Sequence, residues 1–216
     1  MTYDTIKYKH CTIRIETDDN PESPRDWDNL GEMVCWHRHY KLGDDQPAED
    51  PQEWYAAHRD DIAAIRELFL YDHSGLTMRT GPFSCPWDSG PVGYIWVAKK
   101  RVFKEYARKK LSKSLRAKLE WILDQEVQAY DDYLTRNIYG FICEDPDGNR
   151  IDSCWGFFGY DETQEGSYMV SEAKTVIDSW RANRAKSLRA DRQEARAFKA
   201  HCADLEAQSA ACLIGL

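Results

Sequence analysis

The stretch that most constrains this chain runs from Leu68 to Lys100, where four Gly and three Pro punctuate a polar segment that ends in VGYIWV (92–97). Gly and Pro at that density forbid a long helix through residues 75–91. VGYIWV itself is a nearly continuous apolar run of strand length, suited to a central strand buried on both faces, with Gly90-Pro91 setting its start. The rest of the chain must therefore supply neighbouring strands and cover for two faces.

The neighbours follow from periodicity. Tyr8 to Thr17 alternates, with Cys11, Ile13 and Ile15 on one face, and reads as a strand. Met33 to Tyr40 reads as a second strand through its Val and aromatic content, which places Cys35, His37 and His39 on one side. Pro51 opens a helix, and Trp54, Ala57, Asp61, Ile65, Leu68 and Phe69 follow at near-helical spacing. Leu76 to Arg79 suits a short strand. Lys99 to Lys113 reads as a basic helix with Val102, Phe103 and Tyr106 as its apolar stripe. Ser114 is placed to cap a second helix, in which Leu115, Leu119, Ile122, Leu123, Val127, Tyr130 and Leu134 hold the helical period. Tyr139 to Cys143 and Ile151 to Phe158 are strands joined by a turn at Asp147-Gly148-Asn149. From Ser171 to Ala211 there is neither Pro nor Gly, so a long helix or two is expected. The order argues for an α+β fold with a mostly antiparallel sheet packed on helices and a long C-terminal helical tail. The expected division is a core domain over 1–165 and a helical extension over 166–216.

The length of 216 residues is enough for a core without covalent staples. Seven Cys, an odd number with no CxxC pair, point to reduced and mostly buried thiols. No apolar run reaches the roughly 18 residues of a spanning helix, and the N-terminal MTYDTIKYKH lacks the apolar region of a secretion signal. A soluble, cytoplasmic protein with no membrane association is the expectation. The net charge of −8 is unevenly spread: residues 1–91 carry −9, residues 92–120 carry +8, and residues 121–175 carry −9. Two acidic lobes thus flank one basic segment.

Three groups of residues carry chemistry. Cys35, His37 and His39 offer soft donors for a metal, with zinc as the alternative to having no cofactor, although their i, i+2, i+4 spacing is not a usual zinc pattern. His73, Cys85 and Asp88 suggest a nucleophilic thiol with an imidazole and a carboxylate, while the same residue types also close tight structural turns. Lys100, Arg101, Lys104, Arg108, Lys109 and Lys110, interleaved with aromatics, are candidates for contact with phosphates or another partner. The Gly residues form neither GxGxxG nor GxxxxGK[ST], and the strand order is not that of a doubly wound fold, so nucleotide-cradling motifs are excluded.

The segments MVCWHRHYKLGD (33–44), LYDHSGLTMRTGPFSCPWDSGPVGYIWV (70–97), EVQAYDDYLTRNIYGF (126–141) and DGNRIDSCWGFFGY (147–160) resemble an uncharacterised family carried by phages, prophages and plasmids. The YDHSG and FSCPWDSG pair carries most of that resemblance, which spans about Asp28 to Asp161. It implies a genetic context and no catalytic role. By analogy, an accessory protein of a mobile element acts on host defences. The expectation is a non-enzymatic inhibitor of a host defence system in the host cytoplasm, binding a host protein or nucleoprotein complex through its acidic surfaces. The alternative is a Cys/His- or metal-dependent hydrolase or transferase centred on the YDHSG/FSCPWDSG loop. Direct nucleic-acid binding is a weaker reading, and the C-terminal helix is a candidate for homo-oligomer contact.

Overall fold

A computed structural model describes residues 2–85, 87–160 and 167–214, with side chains through residue 205. The chain contains β1 (Thr2–Tyr8), β2 (Cys11–Thr17), a 3-10 turn (Pro24–Asp26), β3 (Glu32–Cys35), α1 (Pro51–His58), β4 (Ile62–Asp72), β5 (Leu76–Arg79), β6 (Ser89–Ala98), α2 (Lys99–Glu105), α3 (Lys113–Leu134), β7 (Ile138–Glu144), β8 (Arg150–Phe158) and α4 (Tyr168–Ile214). Two four-stranded antiparallel sheets, in the orders β3-β6-β4-β5 and β1-β2-β7-β8, make the fold α+β with a long C-terminal helix.

The described residues divide into two compact units, one built on residues 16–140 with 155–160 and the other on 2–15, 141–154 and 167–214. The second unit joins the C-terminal helix with β-strand segments. The expected boundary at 165/166 lies outside the described residues.

In the first unit β6 is an interior strand, as VGYIWV predicts, paired with β3 on one side and β4 on the other. One face of this sheet buries Met33, Cys35, Leu68, Leu70 and Ile95 against Leu119, Leu123, Val127 and Tyr130 of α3. The other face carries Val34, Trp36, Tyr94 and Trp96 around Trp54 of α1. Gly93 is required where β3 and β6 meet, because a Cβ there would lie 2.0 Å from the Val34 carbonyl oxygen. Between the pairs Leu68–Gly93 and Phe69–Pro91 the register slips by one residue, which leaves Val92 as the extra residue of a bulge. A bulge tolerates Pro91, whose nitrogen has no proton for the ladder, and it bends the strand where the candidate site lies.

Three expectations are corrected here. The helix from Pro51 stops at His58, capped at its start by Asp50, and residues 62–72 are the strand β4. The basic helix is short: α2 ends at Glu105, and Ala107 adopts a left-handed conformation (φ 49°) that breaks it. Ser112, not Ser114, caps α3 by accepting a hydrogen bond from the Leu115 amide.

The second unit contains most of the β1-β2-β7-β8 sheet and α4. Cys11, Ile13, Ile15, Phe141 and Cys143 are buried there, as are Met169, Val170, Ala173 and Ile177 of the helix. Asp178 ties α4 to the β1–β2 turn through Lys9 (2.6 Å) and Tyr8 (3.1 Å), and Arg181 donates to the Lys9 carbonyl.

Candidate functional site

The loops at one end of the β3-β6-β4-β5 sheet converge on a cleft of about 400 Å³. Leu70 and Val92 are buried in its lining, and Trp36, His37, Asp72, Trp87 and Asp88 also line it. Three segments carry these residues, and each has a local cause.

The first segment follows β3. The strand ends at Cys35 because the chain there pairs with its own return: the Cys35 amide donates to the Asp45 carbonyl, and the Trp36 amide donates to the carbonyl of the bulged Val92. Asp44 accepts from the Met33 amide (2.7 Å) and is held by Arg25. Arg25 reaches its position from the 3-10 turn and also contacts Glu126 of α3 and the Gly31 carbonyl. Burial works against its charge, but the hydrogen bond and charge of Asp44, with the charge of Glu126, outweigh burial and raise its pKa. The second segment is the β4–β5 hairpin, where Ser74 takes a left-handed conformation (φ 60°) and the Asp72 amide donates to the Asp88 carbonyl. The third is the β5–β6 connection. Arg79 donates to the Gly81 and Pro82 carbonyls and lies over the Phe83 ring at 4.0 Å, and that ring meets Tyr71 at 5.6 Å.

Of the sequence-derived residues, His73, Cys85 and Asp88 come together. His73 Nδ1 and Cys85 Sγ lie 3.3 Å and 3.8 Å from the same oxygen, Asp88 Oδ2. The carboxylate therefore stands between thiol and imidazole. A thiol nucleophile instead needs the imidazole against the sulfur, with the carboxylate behind it. The hydroxyl of Ser89 donates to the Cys85 carbonyl and fixes the turn, a structural use of these small polar residues.

Cys35, His37 and His39 do not share a strand face, because β3 ends at Cys35. Cys35 packs into the core, and burial, reinforced by Asp44, pushes its thiol up to about 12. His37 stacks on Tyr40 with its Nδ1 accepting from the His39 and Tyr40 amides, which removes that nitrogen from ligand duty. Among the described residues no group of three or more His, Cys, Asp or Glu is arranged to hold a metal ion.

The six basic residues also part company. Lys100, Arg101 and Lys104 sit on α2, with Arg101 paired to Asp28 at 3.1 Å, while Arg108, Lys109 and Lys110 lie in the connection to α3. Arg108 and Lys110 border a separate concavity of about 460 Å³ with Tyr106, Ser112, Ser114 and Lys118.

Sequence reasoning passed over Trp36 and Trp87, which line the cleft beside Asp72 of the YDHSG motif. Trp87 carried a usable signal: it follows Pro86 in a Gly/Pro-rich loop, a placement that leaves a large ring in solvent, and it is 90% exposed.

No protein-family model, curated protein or solved structure matches this chain.

Proposed function

We propose that this chain is a non-enzymatic binding protein that seats a basic side chain of a protein partner in the cleft at the end of the β3-β6-β4-β5 sheet. One observation carries the reading: two carboxylates, Asp72 and Asp88, share a cleft with two tryptophans, one of them almost wholly in solvent. Aromatic faces attract a cation through their quadrupole, and carboxylates add charge and directed hydrogen bonds. Residues 16–140, the main body of the unit that carries the cleft, sum to −6, which favours encounter with a basic partner. In the mobile-element context suggested by the family resemblance, the partner is a component of a host defence complex and the outcome is inhibition by occupation of its basic surface.

The test is capture of a partner from host lysate with the wild-type chain and with Trp87→Ala/Asp88→Asn. The expected result is a stoichiometric partner that wild type retains, that the double variant loses, and whose affinity falls as salt is raised. Absence of any stoichiometric partner, or equal capture by both proteins at all salt concentrations, overturns the reading.

A second reading draws on the contact of both His73 and Cys85 with Asp88: a thiol-dependent hydrolase or transferase. It requires the imidazole to move onto the sulfur when substrate binds. Cys85→Ser and His73→Ala, made separately, abolish biological activity under this reading. Under the binding reading, Cys85→Ser leaves it intact.

A further inference from the structure

Beyond residue 180, α4 runs through 25 described side-chain positions of which all but Cys202 are exposed. A lone helical segment of that length gains little from its own backbone bonds and is marginal in water without a packed face. Its large apolar residues are not scattered. Leu188, Phe198 and Leu205 are 49%, 69% and 51% exposed, and with Ala195 and Cys202 they fall on a 3–4 heptad spacing: 188, 195 and 202 in one column, 198 and 205 in the other. The second column begins earlier in the helix, where Val170 and Ile177 occupy the same heptad position and are buried in the unit's core. That column is charged at Arg184 and Asp191 before Phe198 and Leu205, so the narrow apolar seam of the exposed part begins at Leu188.

We infer that this seam pairs with the same segment of a second copy of the chain, parallel and in register. Charge complementarity selects the occupant and its direction. With Leu188, Ala195 and Cys202 as a positions and Phe198 and Leu205 as d positions, Glu194 is a g residue, and Arg192 and Lys199 are e residues. In a parallel pair, g of one helix faces the next e of the other, so Glu194 meets Lys199 twice across the two-fold axis. In an antiparallel pair, e faces e, and Arg192 and Lys199 crowd against like charges. Asp191 is the one polar d residue between Leu188 and Leu205; its cost in stability comes with a fixed register. Cys202 then faces its own counterpart across the seam.

Sedimentation equilibrium of the full chain tests this. The expected mass is twice 25.1 kDa at tens of micromolar. Phe198→Glu/Leu205→Glu should give a monomer with an unchanged thermal transition. Glu194→Lys and Lys199→Glu each weaken the dimer about tenfold, because each creates two like-charge contacts, and an equimolar mixture of the two restores it as a heterodimer. Asp191→Leu tightens it. With diamide as oxidant, two Cys202 thiols join as a disulfide while diamide takes up both electrons and both protons, and peptide mapping finds Cys202 linked to Cys202. A monomer at all concentrations, a dimer that survives both the Glu substitutions and the charge swaps, or a dimer in which Cys202 never links to itself overturns the inference. The charge-swap variants change only exposed side chains, so the test stands even if the double Glu variant fails to fold.

Discussion

Arg25 is the single side chain on which the position of the candidate cleft depends most. Its side chain is only 5% exposed, and it holds Asp44 through Nε and Nη2, Glu126 through Nη1, and the Gly31 carbonyl through Nη2. Asp44 in turn holds the Met33 amide, and Glu126 accepts from the Leu30 and Gly31 amides. Arg25→Met keeps much of the volume and removes the charge. Asp44 and Glu126, with side chains 25% and 11% exposed, are then left as unpaired carboxylates near one another. Breaking a buried pair from one side costs about 3–5 kcal/mol, and the partial exposure of Asp44 places this case toward the lower figure. At about 2–4 °C per kcal/mol for a chain of this size, the melting temperature should fall by roughly 6–15 °C. Calorimetry or circular dichroism reads this directly. Adding Asp44→Asn to Arg25→Met removes one orphaned charge and should recover part of the loss, a non-additivity that a simple packing defect lacks. A loss below about 1 kcal/mol, or strict additivity in the double variant, would refute the reasoning.

Gly93→Ala drives a methyl group into the Val34 carbonyl, so the β3–β6 pair must separate; a loss of about 3 kcal/mol or more is expected in denaturant titration. Glu32, Asp131 and Asp132 have pKa values raised chiefly by burial, so their contribution to stability is complete below the ordinary carboxylate range and is lost as pH rises through their folded values. Asp132→Asn retains an oxygen for Asn137 and should flatten this decline on the weakly acidic side, read as melting temperature against pH. Asp178, held low by its hydrogen bond to Lys9, acts in the opposite sense and loses its contribution as pH falls through its depressed value. Burial pushes the Cys35 and Cys143 thiols up to about 12, so an aromatic disulfide reagent should label exposed Cys154 in the native protein and reach Cys35 and Cys143 only on unfolding.

The parts of the fold legible in sequence are those where period and punctuation agree. VGYIWV is an interior strand, Leu119, Leu123, Val127 and Tyr130 face the core, and Asp147-Gly148-Asn149 joins two paired strands. The failures have local causes. IAAIRELFLYD can satisfy either period, and the sheet edge offered by β6 decides in favour of strand at Ile62–Asp72. β1 escaped notice because it is an edge strand with little burial, and its turn into β2 uses Lys9 and His10 in left-handed conformations (φ 48° and 70°), where Asn-Gly would have announced it. Ala107 ends α2 without any Gly or Pro to signal it. For the site, the presence of His73, Cys85 and Asp88 in one 16-residue stretch of hairpin and loop was legible, but not their meeting at one oxygen of Asp88. The departure of Cys35 from His37 was not, since it depends on a backbone bridge to Asp45.

The cleft itself can be examined without knowing the partner. Titration of ¹⁵N-labelled protein with N-acetyl-arginine amide, followed at the tryptophan indole resonances, reports on Trp36 and Trp87 directly. Saturable shifts at these two indoles, weakened about tenfold by Asp88→Asn (~1.4 kcal/mol) and absent with the uncharged citrulline analogue, are the predicted result. Indole resonances that stay in place, or that move equally with citrulline, would contradict a cation-binding cleft.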